Sequence, residues 1–227
     1  MARTLNLAVH TVRREAFVDA AMRLMLTKGY ERMSIQDVLD DVAASRGAFY
    51  HYFDSKQALL EAVVDRIADQ ALAAVAPIVD DSELPALPKL EAFFRGIARW
   101  KTERKALMIE LINVWVSDHN AVAREKVSRT LVARVAPVLA KIVRQGVAEE
   151  VFAVASPEET AKMLMALITV FQDELTELFL ARQAKTVSLE TVERTLAGFT
   201  EAFERILGAQ AGSIHLNDES TLHEWFG

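Results

Sequence analysis

Apolar residues recur at spacings of three and four along nearly the whole chain, which predicts one helix after another. Phe17, Ala20, Ala21, Leu24 and Met25 share a face and predict a first helix over about 11–28. Residues 1–9 are expected to be a loose arm. Gly29 suits a helix end, and Tyr30 is expected to close a small core behind it. Ile35, Val38 and Leu39 fall on one face of a second helix, with Gln36, Asp37, Asp40 and Asp41 on the other. Ser34, with Asp37 three residues on, forms a capping-box pattern at its start. Val42-Ala43-Ala44 is small enough for a close turn. Ser45 can cap a third helix, whose Phe49 and Phe53 are four apart and point inward. Asp54-Ser55-Lys56-Gln57 reads as another capping box. It opens a helix to about Ala76 that carries Leu59, Leu60, Val63, Ile67, Ala71 and Leu72.

Three prolines and an acidic run between Pro77 and Pro88 mark the clearest boundary. Helical patterns follow at about 86–101, 103–116, 118–148, 157–183 and 188–208. Pro137 predicts a kink or break near Val135. Ser156-Pro157-Glu158-Glu159 and Ser188-Leu189-Glu190-Thr191 read as helix starts. Residues 209–227 are polar and Gly-interrupted, a pattern expected of a disordered tail. The division is therefore a three-helix head over 1–55 and a helical body over 56–227. The fold class is all-α.

Composition narrows the class. Eight glycines and five prolines in 227 residues favour helices with short connections. No cysteine is present, which excludes disulfides and thiolate metal sites. No run is apolar and long enough to span a bilayer, and no signal-peptide pattern is seen, so a cytoplasmic location is expected. The net charge is −6, unevenly spread: residues 1–56 carry +1 and residues 57–227 carry −7. Any basic surface of the head is then local, built from Arg3, Arg13, Arg14, Arg46 and Lys56.

Two short helices joined across a tight turn are the layout of a helix-turn-helix, whose second helix can enter a DNA major groove. At its start, Arg46 and Gly47 put a cation and free amides where a phosphate or base edge would sit. Gly47 has no Cβ, so the backbone can approach closely there. Tyr50, His51 and Tyr52 line the rim with phenol and imidazole donors. Lys56 lies in the first turn of its helix, where a cation gains nothing from the dipole, and a phosphate contact would account for it. Arg13-Arg14 is either a solvated helix start or a further phosphate contact.

Gly29-Tyr30, Ser34-Ile35-Gln36-Asp37-Val38 and Gly47-Ala48-Phe49-Tyr50-His51-Tyr52-Phe53 with Lys56, in that order, resemble the N-terminal domain of TetR-family transcriptional regulators. The upstream Phe17-Val18-Asp19-Ala20-Ala21 fits the same pattern. The likeness covers roughly residues 10–60. It implies DNA contacts by Ser34, Ser45, Arg46, Gly47, Ala48, Tyr50, His51 and Lys56. Arg46 is the candidate for a base edge, and Tyr50, His51, Lys56 and Ser34 for phosphates. One departure stands out: members often have Gly in the turn where this chain has Ala43. If that position needs a positive φ, Ala costs up to about 1 kcal/mol there.

The same resemblance implies a body that binds a small molecule and forms a homodimer, pairing helices near 157–183 and 188–208 with their copies. The first of these carries Met163, Leu164, Leu167, Ile168, Val170, Phe171, Leu175, Leu178 and Phe179 on nearly all sides. A helix apolar all round is buried all round. Trp100, Met108, Ile109, Leu111, Ile112, Asn113, Trp115, Thr169, Phe171 and Gln172 are candidates for lining a ligand pocket, with plain core the simpler reading for most of them. In the pocket reading a buried Asn or Gln orients a hydrophobic or aromatic effector.

Enzyme chemistry finds no pattern: there is no glycine-rich phosphate loop after a strand and no nucleophile elbow. Asp118, His119, Asp173, Glu174 and Glu177 read as a solvated acidic face rather than a metal site. No cofactor is expected. The expected function is a homodimeric repressor released from a palindromic operator by a small, mostly apolar ligand, with no membrane association. Two alternatives stay open: a DNA-binding protein without a small-molecule effector, and an interaction adaptor whose head no longer binds DNA.

Overall fold

The computed structural model describes residues 2–116, 121–216 and 219–227, with side chains from His10 onward and, after the break at 117–120, from Arg124. Among the described residues there are helices and no strand. In chain order they are α1 (Ala2–Lys28), α2 (Ile35–Val42), α3 (Arg46–Tyr52), α4 (Lys56–Asp80) and α5 (Ala86–Thr102). Then come α6 (Lys105–Trp115), α7 (Ala121–Ala148), α8 (Pro157–Gln183), α9 (Leu189–Leu207) and α10 (Glu219–Phe226).

The caps act as the sequence predicts at three starts. Ser34 accepts from the Asp37 amide while Asp37 accepts from the Ser34 amide, a complete capping box. Ser45 accepts from Ala48 N at 3.2 Å, and Ser188 from Thr191 N at 3.2 Å. The cap of α4 is Ser55, which accepts from Ala58 N at 3.0 Å, rather than the Asp54–Gln57 pair. Ser156 makes no side-chain cap bond, and α8 instead begins with Pro157 in its first turn.

Four expectations are corrected. The segment 1–9 is not a loose arm, because α1 is helical from Ala2. Pro77 does not end its helix, and α4 runs on to Asp80. Pro137 does not break α7, which is continuous from Ala121 to Ala148. In both cases the carbonyl four residues back, of Ala73 or Ala133, sits at an exposed position. At such a position water can take the place of the N–H that the proline lacks. Pro85 and Pro88 occupy the cap and first turn of α5, where the missing N–H would have been unpaired anyway. The boundary shrinks to a short acidic link.

The fourth correction is the tail. Glu204, itself buried, accepts from Gly212 N and Ile214 N, both at 3.0 Å, and Ile214 enters the core. Trp225 Nε1 donates to Thr102 at 2.8 Å, Arg182 donates to the Phe226 carbonyl at 2.8 Å, and both rings lie beside Phe179. The buried Glu204, two part-buried hydrogen bonds and an aromatic cluster outweigh the polar composition that reads as disorder.

The chain packs as two compact units. One comprises residues 1–69 with 104–127, and the other residues 70–103 with 128–227. The first extends past residue 55 and takes in α6. Its buried residues include Phe17, Val18, Met25, Tyr30, Met33, Val38, Phe49 and Phe53, with Leu59, Leu60 and Val63 of α4. The second has a core of Leu90, Phe93, Leu139, Ile142, Val143, Phe152, Leu164, Phe203 and Leu207.

Candidate nucleic-acid interface

The head presents α3 from a rigid aromatic base. Phe49 is fully buried, with its ring centroid 5.7 Å from that of Phe17 and 5.8 Å from that of Phe53. These three rings hold α3 on α1 and leave its opposite face to solvent. Ser45, Arg46, Gly47, Tyr50 and His51 are exposed, and Ala48 is half-buried. A Cβ at Gly47 would meet only the Ser45 hydroxyl, at 4.0 Å, so the backbone is open to close approach. The Arg46 guanidinium lies 6.0 Å from the Tyr50 ring centroid, which keeps both groups on one side of the helix.

The turn before α3 is tight. Ala43 has φ 52° and ψ 49°, and Ala44 N reaches back to Leu39 O at 2.9 Å. This is the left-handed cap that glycine favours, so the condition attached to Ala43 is met.

Ser34 is exposed at the start of α2, beside Asp37, which is also paired with Lys28. Lys28 and the Ser34 amide hold the Asp37 carboxyl well below the usual carboxylate range. Lys56 is not idle in its own fold. Its Nζ lies 4.2 Å above the Tyr30 ring and donates to Glu31 O at 3.2 Å. Burial pushes the Lys56 pKa down, against the pull of Glu31 and Asp37. Tyr30 closes the core as expected, and burial raises its phenol to about 12. Of the arginine pair, Arg13 is exposed, whereas Arg14 stacks 5.2 Å from the Phe53 ring and pairs with Glu15.

Two matches decide the family. Residues 17–63 fit the model of bacterial regulatory proteins of the tetR family, and residues 106–199 fit that of the tetracyclin repressor-like C-terminal domain. The chain belongs to the TetR family. It is a helix-turn-helix transcriptional regulator, from a family of regulators rather than enzymes. An HTH-type regulator of Lactococcus lactis is 44% identical over 52 residues, 23% of this chain and 26% of its own length. The regulator EthR of Mycolicibacterium smegmatis is 34% identical over 85 residues, 37% of this chain and 38% of its own. This chain thus spans well under half the length of these curated relatives. The fold extends further: the structure of RolR in complex with resorcinol matches with a TM-score of 0.62 at 16% identity, covering 96% of this chain and 95% of that one.

In this TetR-family regulator the residues named for a ligand pocket are divided between the two units. Met108, Ile112, Asn113 and Trp115 lie on α6 in the first unit, and Trp100, Thr169 and Gln172 lie in the second. Trp100 and Met108 are buried, and Ile112, Trp115 and Thr169 are half-buried. The expected buried amide is corrected: Asn113 and Gln172 are both exposed, since an amide without a buried partner is better left in water. The Thr169 hydroxyl is bonded to Met165 O within its own helix, at 3.0 Å. A small apolar hollow in the first unit is lined by Leu60, Val64, Leu111, Val114, Trp115, Arg124 and Val127. Leu111 and Trp115 are the two named candidates that share it.

The sequence reading missed His10. Its ring lies 5.4 Å from that of His51 and 4.6 Å from that of Tyr52, on the exposed side of α3. Its signal was available, because His10 precedes Phe17 by seven residues and so shares its face. Asp118 and His119 lie outside the described residues. Among the described residues no cluster of metal-ligating side chains occurs, and no helix is long and apolar enough to cross a membrane.

Proposed function

We propose that this regulator is a homodimeric repressor that binds a pseudo-palindromic operator through α3 and is released by a small, mostly apolar molecule. The observation that carries the reading is α3 itself: Phe49 locks it from beneath while Arg46, Gly47, Tyr50 and His51 face solvent. In this reading Arg46 meets a guanine edge in the major groove, where a guanidinium pairs bidentately. Ser34, Tyr50, His51 and Lys56 hold phosphates and set the register, and Ser45, Gly47 and Ala48 bring the backbone close. Two heads read half-sites about one helical turn, roughly 34 Å, apart.

Dimerisation through α8 and α9 is supported by what α8 leaves uncovered. Met163 and Val170 are each 60% exposed, and Ala166 between them is exposed too. These three sit three and four apart on one face, an apolar stripe that a second copy would cover. The effector reading rests on the family and on the apolar character of Trp100, Met108, Ile112 and Trp115, with Thr169 half-buried and Asn113 and Gln172 at exposed positions that an arriving ligand can reach. Release requires that the effector bind one state better than the other.

Selection of bound sequences from random duplex DNA tests the proposal. An enriched inverted repeat is expected. Lys56→Ala should weaken binding similarly across sequences and reduce the salt slope by about one, while Arg46→Ala should also relax specificity at one position. Unchanged binding in both variants would refute the site assignment. A compound that raises the melting temperature and weakens operator binding would be the effector. A folded dimer that enriches no sequence would favour the adaptor reading.

A further inference from the structure

Helix α6 carries a carboxylate that the proposed function leaves unused. Glu110 Oε1 accepts from Tyr30 N at 2.6 Å, although the two residues are 80 apart in sequence. The same oxygen would stand 3.4 Å from a Cβ at Gly29, where φ is +80°, so the carboxylate is seated against the turn itself. A helix ending strands backbone groups that need partners. At the end of α1, Gly29 N finds Met25 O and Met33 N finds Gly29 O and Tyr30 O. Tyr30 N finds its partner on α6.

The turn that Glu110 grips also places Lys56. The ammonium rests on the Tyr30 ring and donates to the carbonyl of the next residue, Glu31. A shift of the Gly29–Glu31 backbone therefore moves both surfaces that hold Lys56. We infer that Glu110 is a positioning residue for operator binding, fixing the Gly29–Tyr30 turn so that Lys56 is held ready for a DNA phosphate. The inference rests on the proposed role of Lys56 in phosphate contact.

The test uses the full chain and a labelled duplex carrying the sequence that the wild type enriches. Glu110→Ala is expected to bind about tenfold more weakly, with a salt slope shallower by about one. Glu110→Gln, whose amide oxygen still accepts from Tyr30 N, should bind like the wild type. Lys56→Ala should lose a similar factor, and the Glu110→Ala/Lys56→Ala pair should bind no worse than Lys56→Ala alone, because the first acts through the second. Should Glu110→Ala fail to fold, Glu110→Asp, one methylene too short, carries the same comparison. Wild-type affinity in the short or truncated variant, or losses that add in the pair, would overturn the proposal. A wild type that enriches no sequence would overturn the functional reading itself, before any variant is compared.

Discussion

Ala43→Gly should stabilise the protein without changing what the head recognises. Ala43 holds φ 52° and ψ 49° in the turn between α2 and α3. A left-handed conformation costs an L-residue with a Cβ about 1–2 kcal/mol. Glycine removes that cost but adds about 0.4–1 kcal/mol of chain entropy to the unfolded state. Ala43 is exposed, so the methyl group buries no surface to offset the difference. The net gain is about 0.5–1 kcal/mol, which for a chain of this size is about 1–4 °C in Tm. Thermal unfolding by circular dichroism measures it. Operator affinity should stay within about twofold, because the backbone already has the geometry glycine would choose. Ala43→Val, with a branched Cβ at positive φ, should move Tm the other way. A fall in Tm for Ala43→Gly, or none for Ala43→Val, would refute the account of this turn.

Three further outcomes are expected. Gly146→Ala places a methyl group on the buried Phe152 ring, so overpacking of about 1–3 kcal/mol should exceed the helix gain of about 1 kcal/mol and lower the denaturant midpoint. Asp37, held below the usual carboxylate range chiefly by Lys28 and then by the Ser34 amide, supports stability that is present above the unfolded-state pKa. That stability is lost as pH falls through the depressed folded value, so the Asp37 carboxyl should titrate by NMR below the ordinary value of about 3.9 and Lys28→Ala should raise it. Val170→Glu puts a charge in the exposed stripe of α8 and should shift the sedimentation equilibrium toward monomer while leaving the monomer folded.

The legible parts of this chain are those fixed by local chemistry. Ser34, Ser45 and Ser188 act through groups three residues away, and Gly29 through its own φ, so a short window contains the whole cause. Phe49 and Phe53 were readable for the same reason, as the inward stripe of one short helix. The misreadings share an opposite feature. Pro77 and Pro137 are breakers locally, yet each sits on a helix whose neighbouring turns are held by buried residues such as Val75, Val79, Ala136 and Leu139. Those contacts outweigh one missing hydrogen bond. The tail is ordered by Glu204 and Phe179, which lie outside its own sequence. Asn113 and Gln172 could be named as polar groups on apolar helices, but their rotation toward solvent depends on the packing of whole helices.

The head separates folding from recognition. Phe17, Phe49 and Phe53 make the contacts that fix α3 and are buried, whereas Arg46, Tyr50 and His51, proposed to meet DNA, are exposed and contribute little to the core. Surface positions of this kind change stability by only about half a kcal/mol, so operator preference can vary while the scaffold stays intact. Lys56 and Tyr30 break that separation. Tyr30 is buried and belongs to the scaffold, yet its ring and the neighbouring carbonyl set the position of Lys56, the cation proposed to meet a DNA phosphate. On the proposed assignment, the Gly29–Glu31 turn is where a change inside the protein would reach the operator without altering a residue proposed to read bases. Among the described residues, the carboxylate that grips that turn from outside the head's three helices is that of Glu110, on the helix that also walls the hollow.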